Sequence, residues 1–381
     1  MTWTVDELLG PKTPEAAPED AGTALAVLVD EALHRKIDRA SVAVTPVTYE
    51  MGSISTGALA RVHGRDLDGE HWSIFVKVIQ HPRHWPLLHI LPEPMATEIL
   101  ELFPWRAELC AWEQPFAGML PDGMRVPALY RVADLGDDRL ALWMEDVHAS
   151  SEVWNLARYA RAARLLGRLN ARGARPEVMA QAPQPPGFVT RRFADSIPVR
   201  GLHALADDAV WAHPWLAEHA GLRADLLALA ERIPAALDRL DALPQSMGHN
   251  DACPQNLLVP ADAPETFVVI DAQFQSASAV GADLAQLLVG MVHAGEHRVA
   301  ELPAVQSIIG DAYLTGLSDE GVVEDADEVR LGFLGMLLIR SGFTSLPYEL
   351  MDRTDDPVAA GAFAERVALT RYIADQTRDL F

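Results

Sequence analysis

Between residues 41 and 80 the apolar residues of this chain alternate with polar ones; beyond residue 148 they recur every three or four positions. Alternation is the period of a half-buried strand, and the longer spacing is that of an amphipathic helix. In a chain of 381 residues this switch constrains the fold more than any other feature. It predicts a strand-rich first third, a mostly helical remainder and two lobes with a cleft between them where a ligand can be buried. The boundaries fall at a loose, Pro- and acid-rich lead-in over 1–20, a first lobe over 21–146 and a second over 147–381.

SVAVTPVTYEMG, GALARVHGRDLDGE and HWSIFVKVIQ read as three strands, with DLDGE (66–70) as a hairpin turn. Residues 95–119 read as helical with an interruption at Pro104, and VPALYRVADLGDDRLALWMEDV (126–147) as two strands around a Gly-Asp-Asp turn. VWNLARYARAARLLGRLNARG (153–173) reads as a helix capped by its terminal Gly. Leu222, Leu226, Leu229, Ile233, Leu237 and Leu240 mark one buried helical face, which Pro234 kinks or divides. TFVVID (266–271) reads as a short buried strand, and helices fill most of 282–381.

The formal charge of −23 argues against nucleic acid as partner, since phosphate contacts need basic patches. It suits a soluble protein and, weakly, a cationic ligand. Cys110 and Cys253 are the only cysteines, too few for a disulfide framework or a zinc site. The first twenty residues lack the basic and apolar regions of a signal peptide. The longest apolar run, LGFLGMLLI (331–339), is too short to span a bilayer. A cytoplasmic protein without a membrane partner is expected.

Four pieces carry chemistry. The first is HNDACPQN, from His249 to Asn256. Asp251 offers a carboxylate to a hydroxyl proton, and Asn256 offers a neutral oxygen to a hard cation such as Mg²⁺. With 13 His, 30 Asp and 4 Asn in the chain, about 0.01 matches to H-x-D-x₄-N arise by chance; the bland alternative is a turn with Asx hydrogen bonds. The second is Asp271 at the exit of an apolar strand, where a carboxylate is costly unless paired or metal-bound. A hairpin over the intervening residues brings it to Asn256. The third is Lys77, one of three lysines beside 28 arginines. It sits among Phe75, Val76, Val78 and Ile79, either on an open strand face or aimed into a cleft. The fourth is an acid to hold that lysine. Glu108 is preferred to Glu98, Glu101 and Glu113, any of which otherwise belongs to a solvated helix face.

In this order the pieces make a set for phosphoryl transfer. The sequence here resembles the aminoglycoside phosphotransferase and choline kinase-like family, a branch of the protein-kinase-like fold. His249, Asp251, Asn256 and Asp271 match its H-G-D-x-x-x-x-N loop and metal Asp. VGADLAQLL (280–288) looks like its G-x-D-L-A segment, with Asp283 as its Asp, and LWMEDV (142–147) looks like its linker.

The resemblance implies an α+β, bilobal protein-kinase-like fold, with a small antiparallel-sheet N-lobe and a larger, mostly helical C-lobe. It implies ATP with Mg²⁺, adenine on the backbone of Met144, Glu145 and Asp146, and Lys77 on the phosphates, positioned by Glu108. Asn256 and Asp271 would hold the metal, Asp251 would orient an acceptor hydroxyl, and His249 and Asp283 would brace the loop. MGSISTGAL (51–59) has only Gly52 and Gly57 where the family has a nucleotide-covering loop; Ser53, Ser55 and Thr56 offer hydroxyls to phosphate instead.

A small hydroxylated acceptor follows: an aminoglycoside, an amino sugar, choline or a similar metabolite. Glu324 and Asp327 either meet an amine on it or begin a solvated helix. Asn250 in place of Gly, Ala272-Gln273 in place of the usual aromatic and the thin glycine loop support a competing reading. In that reading the protein binds nucleotide, is catalytically silent and acts through partners. Cys253, two residues after Asp251, has no activating base in the sequence to make it a nucleophile.

Overall fold

The structure, a computed structural model, describes residues 3–10, 21–48 and 53–381. It divides into two units, one formed by Met1–Trp112 with Val126–Ala149 and the other by Glu113–Arg125 with Ser150–Phe381.

The first unit is built on a five-stranded antiparallel sheet. Its order is Ala43–Pro46, Thr56–Arg65, His71–Gln80, Arg139–Glu145 and Leu129–Gly136. The alternation in HWSIFVKVIQ sends its side chains to two different environments. Trp72, Ile74, Val76 and Val78 join Ala141 and Trp143 in a core closed by the helices Val5–Leu9 and Ala21–Leu33. Phe75 and Ile79 lie with Leu140, Leu142 and Met144 on the opposite face, against Trp105, Leu109 and Trp112. Lys77 shares that second face by register, opposite Leu59 and Leu142.

Two expectations for this part need correction. Residues 5–9 belong to the packed unit and not to a loose lead-in. Thr4 and Glu7 form a capping box, Leu8 is fully buried, and the Trp143 Nε1–H donates to the Leu8 carbonyl at 3.0 Å. Of the expected lead-in, 1–2 and 11–20 lie outside the described residues. The helical segment over 95–119 is interrupted at Pro104 as expected, but it breaks again at Pro115 and is only partly α-helical, running as Glu93–Leu102, a 3₁₀ turn at Ala107–Trp112 and a single turn at Phe116–Met119. Pro104 removes a helical donor and Pro115 a second one, so one continuous helix cannot form.

In the second unit the helices Leu156–Gly173 and Leu302–Asp319 pack backbone to backbone. A Cβ at Gly167 would sit 2.2 Å from the Tyr313 carbonyl oxygen, and one at Gly316 would sit 2.0 Å from that of Arg164. Gly173 also serves close approach and not capping, since its Cβ would lie 2.2 Å from the Met247 oxygen and the cap is Ala174. Pro234 does divide its segment, into Ala220–Ala230 and Ile233–Ala242. It stands in the first turn of the second piece, where no amide donor is needed. Leu222, Leu226, Leu229 and Leu240 are buried with Phe343 and Phe363 in one core.

Two small sheets complete the unit. Gln245–Gly248 pairs antiparallel with Ser276–Ala279, and Leu257–Leu258 pairs antiparallel with Phe267–Val269. Met124–Arg125 adds to the latter in parallel. That pairing carries Glu113–Arg125 into the second unit, although the sequence boundary at 146 assigns it to the first. Among the described residues no helix is long and apolar enough to cross a membrane.

Candidate active site

In the first unit Lys77 is 8% exposed and its Nζ lies 2.6 Å from Glu108 Oε2; Glu108 is itself buried. The Lys stands on the central strand, and the Glu comes from the 3₁₀ turn laid across that face. Of the four acids weighed, the fold brings Glu108 to the amine, from a tighter turn than the α-helix expected.

Met144 is buried in the ladder opposite Phe75 and Leu129. The Glu145 N–H donates to the Ala128 carbonyl at 2.9 Å, which takes it out of the donors open to a ligand. Asp146 accepts from Arg61 Nε at 3.0 and 3.1 Å with its two oxygens. Beside these residues a concavity of about 690 Å³ opens, lined in part by Thr45, Arg61, His63, Ser73, Glu145 and Asp146. Arg61 and His63 pair with Phe75 and Ser73 across the strands, so this wall continues the face that carries Lys77.

Ser55 and Thr56 are buried at the start of Thr56–Arg65. The Thr56 hydroxyl donates to Ser53 Oγ at 3.1 Å, and the Ser53 and Ser55 hydroxyls lie 3.5 Å apart. These groups face one another. Met51 and Gly52 of the same expected loop lie outside the described residues.

In the second unit the loop after strand Gln245–Gly248 is held from several sides. Asp283 accepts from the His249 N–H at 3.2 Å and the Asn250 N–H at 2.5 Å, and Asn170 Nδ2 donates to it at 2.9 Å. His249 Nδ1 accepts from the Asp251 N–H at 3.1 Å while Nε2–H donates to the Ile270 carbonyl at 3.0 Å, a pattern that defines a neutral imidazole. Both residues brace the loop.

Asn250 has φ 59, the left-handed conformation that Gly and Asn adopt at least cost. Its Nδ2 donates to the carbonyls of Phe274 and Ser276, each at 3.0 Å, and its Oδ1 accepts from Ser278 Oγ at 2.6 Å. The Asn thus keeps the backbone shape that Gly would give and adds ties to the neighbouring strand. Ala272 is buried in the 3₁₀ turn Ala272–Phe274, and Phe274 at the end of that turn packs against Phe193 with ring centroids 5.4 Å apart.

Asn256 Nδ2 donates to the Asp251 carbonyl at 2.9 Å. The hairpin of Leu257–Leu258 with Phe267–Val269 returns the chain so that the Ile270 N–H donates to the Asn256 carbonyl at 3.0 Å. Asp271 follows at φ 58. The hairpin, two strand residues on one side and three on the other, thus brings the Asn256 backbone to Ile270, the residue before Asp271. An amide oxygen and a carboxylate from this hairpin suit Mg²⁺, which takes one or two protein oxygens and completes its shell with phosphate and water. Among the described residues no group of three or more His, Cys, Asp or Glu could hold a metal alone.

Asp251 is part-buried, and burial followed by Asp271's charge raises its pKa, while Arg340 opposes that rise. The Arg340 contact was missed in the sequence. Its Nη2 lies 2.6 Å from Asp251 Oδ1, its Nη1 donates to the Asn250 carbonyl, and its guanidinium lies over the rings of Phe193 and Phe274. Arg340 comes 89 residues after Asp251, directly behind the apolar run that seemed notable only for its length. No local pattern marked it.

The Cys253 thiol is pushed up to about 12 by burial and Asp251, which keeps it protonated. Asp327 falls to the solvated-helix alternative, whereas Glu324 lies before the helix, part-buried, with its pKa raised by burial and by Glu328. Asp325 caps the helix Ala326–Leu337 by accepting from the Asp327 N–H at 2.8 Å, and Asp327 is exposed in the first turn.

No protein-family model matches the chain, and no curated protein matches it in sequence. Solved structures do. Spectinomycin phosphotransferase APH(9)-Ia, in complex with ADP and spectinomycin, is 11% identical with a TM-score of 0.52, over 96% of this chain and 100% of that one. Its AMP-bound complex gives a TM-score of 0.53 at 11% identity over 93% and 98%. Amicoumacin kinase hAmiN, in complex with AMP-PNP, Ca²⁺ and Ami, gives 0.51 at 13% identity over 92% and 93%. An antiparallel sheet preceding a mainly helical second part is common to the reading of the sequence and to the structure. The chain has the fold of these small-molecule phosphotransferases.

Proposed function

We propose that the protein is an ATP-dependent O-phosphotransferase that moves the γ-phosphate of ATP to a hydroxyl of a small molecule. The observation that carries this reading is the presentation of Asp251. Its loop is fixed by Asp283, His249 and Asn250, and a hairpin leads from Asn256 back to Asp271. A carboxylate so held can orient an acceptor hydroxyl and take its proton as the bond to phosphorus forms, with ADP as leaving group. Asn256 and Asp271 supply the oxygens for Mg²⁺, which offsets charge on the phosphates when bound.

Lys77 contributes a compact positive charge for the phosphates, and Glu108, 2.6 Å away, aims it within an apolar face. The reading puts adenine beside the backbone of Met144–Asp146. The N–H of Glu145 is already engaged, so the base must use other backbone groups of that segment. A likeness in fold to enzymes crystallised with ADP and AMP-PNP agrees with this use.

The test is ADP release with a panel of hydroxylated amines, sugars and sugar acids. The parent should turn over at least one acceptor. Asp251→Asn should lower kcat by about 10²–10⁴-fold while retaining Mg·ATP binding. Thermal stabilisation by Mg·ATP without turnover on the whole panel would instead describe a silent nucleotide binder.

A further inference from the structure

The bonds that hold Asp251 in its loop end on its main chain. The Asp251 N–H donates to His249 Nδ1 at 3.1 Å, and the Asp251 carbonyl accepts from the Cys253 N–H at 2.8 Å and from Asn256 Nδ2 at 2.9 Å. None of these restrains the carboxylate, which can still turn about its own side-chain bonds. The loop supplies no cation to hold it either, since Ala252, Cys253, Pro254 and Gln255 carry no positive charge. Among the described residues the carboxylate takes its hydrogen bond from Arg340, whose Nη2 lies 2.6 Å from Oδ1. The other oxygen, Oδ2, accepts from none of them and is not sealed from solvent.

Arg340 is itself held. Its Nη1 donates to the Asn250 carbonyl, so the two arms of one guanidinium grip successive residues of the loop. The guanidinium lies 4.6 Å from the ring centroid of Phe193 and 5.3 Å from that of Phe274, and those two rings pack against each other. Its backbone belongs to the π-helical turn Leu338–Gly342, between buried Ile339 and Ser341. The Arg340 carbonyl accepts from Thr344 Oγ1 at 2.9 Å, and Ser341 Oγ accepts from Gln286 Nε2 at 3.1 Å. Such turns are rare and frequently stand at functional positions. A planar fork fixed at both arms and packed on two rings offers Asp251 one direction of approach.

We propose that Arg340 is the positioning residue of Asp251: it engages Oδ1 and leaves Oδ2 as the oxygen that receives the proton of the acceptor. As the acceptor oxygen bonds to the γ-phosphorus and the bond to ADP breaks, the hydroxyl proton passes to Oδ2. Arg340 touches neither reactant in this step and acts through the carboxylate alone. The step rests on the phosphotransferase reading; the hold on the carboxylate does not. A base must lie within hydrogen-bond reach of the proton it takes, and a misplacement of about 1 Å costs about 10²-fold in rate.

The experiment joins the kinetics of ADP release to crystal structures of the full chain and two variants. Arg340→Lys keeps a charge beside Asp251 but lacks the fork, and Arg340→Met removes both. Arg340→Met should lower kcat by about 10²-fold and Arg340→Lys by less, each with KM for ATP unchanged. In Asp251→Asn there is no carboxylate to hold, so adding Arg340→Met should leave the residual kcat nearly as it is. In the crystal of Arg340→Met the Asp251 carboxylate should be turned from its parental orientation. Where Arg340→Met does not fold, Arg340→Lys carries the same comparisons.

Parental kcat in both variants overturns the positioning role, and so does a full additional loss in the double variant. A carboxylate that stays in place without Arg340 overturns it as well. An arginine with a merely structural part would lower the melting temperature and leave kcat of the folded protein unchanged. If the parent turns over no acceptor, the transferase reading fails and the crystals decide the hold: a turned carboxylate supports it, and an unmoved one removes it.

Discussion

At the scale of single residues, the pair Lys77–Glu108 combines a structural cost with a role that the proposed function requires. Both side chains are buried, and the ion pair offsets part of the cost of burying each charge. Glu108→Gln should lower unfolding free energy by about 3 kcal/mol, because it removes the carboxylate that stands 2.6 Å from a buried ammonium. The double variant Lys77→Met, Glu108→Leu should recover most of that loss in denaturant melts while ADP release stays absent. Full turnover in the double variant would separate the pair from nucleotide chemistry. Asn250 gives a second residue-scale prediction. Asn250→Gly suits the left-handed backbone but removes the ties to Phe274, Ser276 and Ser278. It should destabilise by about 1–3 kcal/mol without raising activity, although Gly is the residue the resembling family carries there. The sequence showed Asn250 as a departure from that pattern. The strand that its side chain ties down could be known only from the fold.

At the scale of elements, the helices Leu156–Gly173 and Leu302–Asp319 touch through Gly167 and Gly316, where a methyl group would overlap backbone. Backbone cannot move aside as the end of a flexible side chain can. Gly316→Ala should therefore cost about 1–3 kcal/mol in urea unfolding, against a few tenths or a gain at exposed Gly361, where nothing lies within 4 Å of the added carbon. Strand and helix periods were legible because the two faces of each element meet different surroundings. Pro234 was legible as a divider because its chemistry is local. Gly173 was misread as a cap for the opposite reason. Close approach to Met247, 74 positions away by sequence number, leaves no trace in the residues beside it.

At the scale of the whole molecule, the burial of one imidazole ties stability to pH. His293 is part-buried, with Nε2 3.0 Å from Ser345 Oγ, and its pKa is lowered from 6.5 to about 3. The unfolded chain therefore takes up a proton that the folded one refuses. This contribution to stability is fully present above pH 6.5 and is lost as pH falls below it. Between pH 6.5 and about 4.5, where most carboxylates stay ionised, stability should fall by up to about 1.4 kcal/mol per pH unit through this group. His293→Gln should flatten that slope in melts across the range, and an unchanged slope would mean that the imidazole is not desolvated as the fold implies.

By itself the sequence determined the division into a strand-rich first part and a helical remainder, and the spacing of Asp251, Asn256 and Asp271. Each of these depends on side-chain period or on a loop short enough to be read locally. Only the tertiary structure decided which acid meets Lys77, that residues 113–125 belong with the second unit, and that Arg340 stands beside the loop. Those contacts join segments far apart along the chain, and packing, not local composition, selects one partner from many of equal charge.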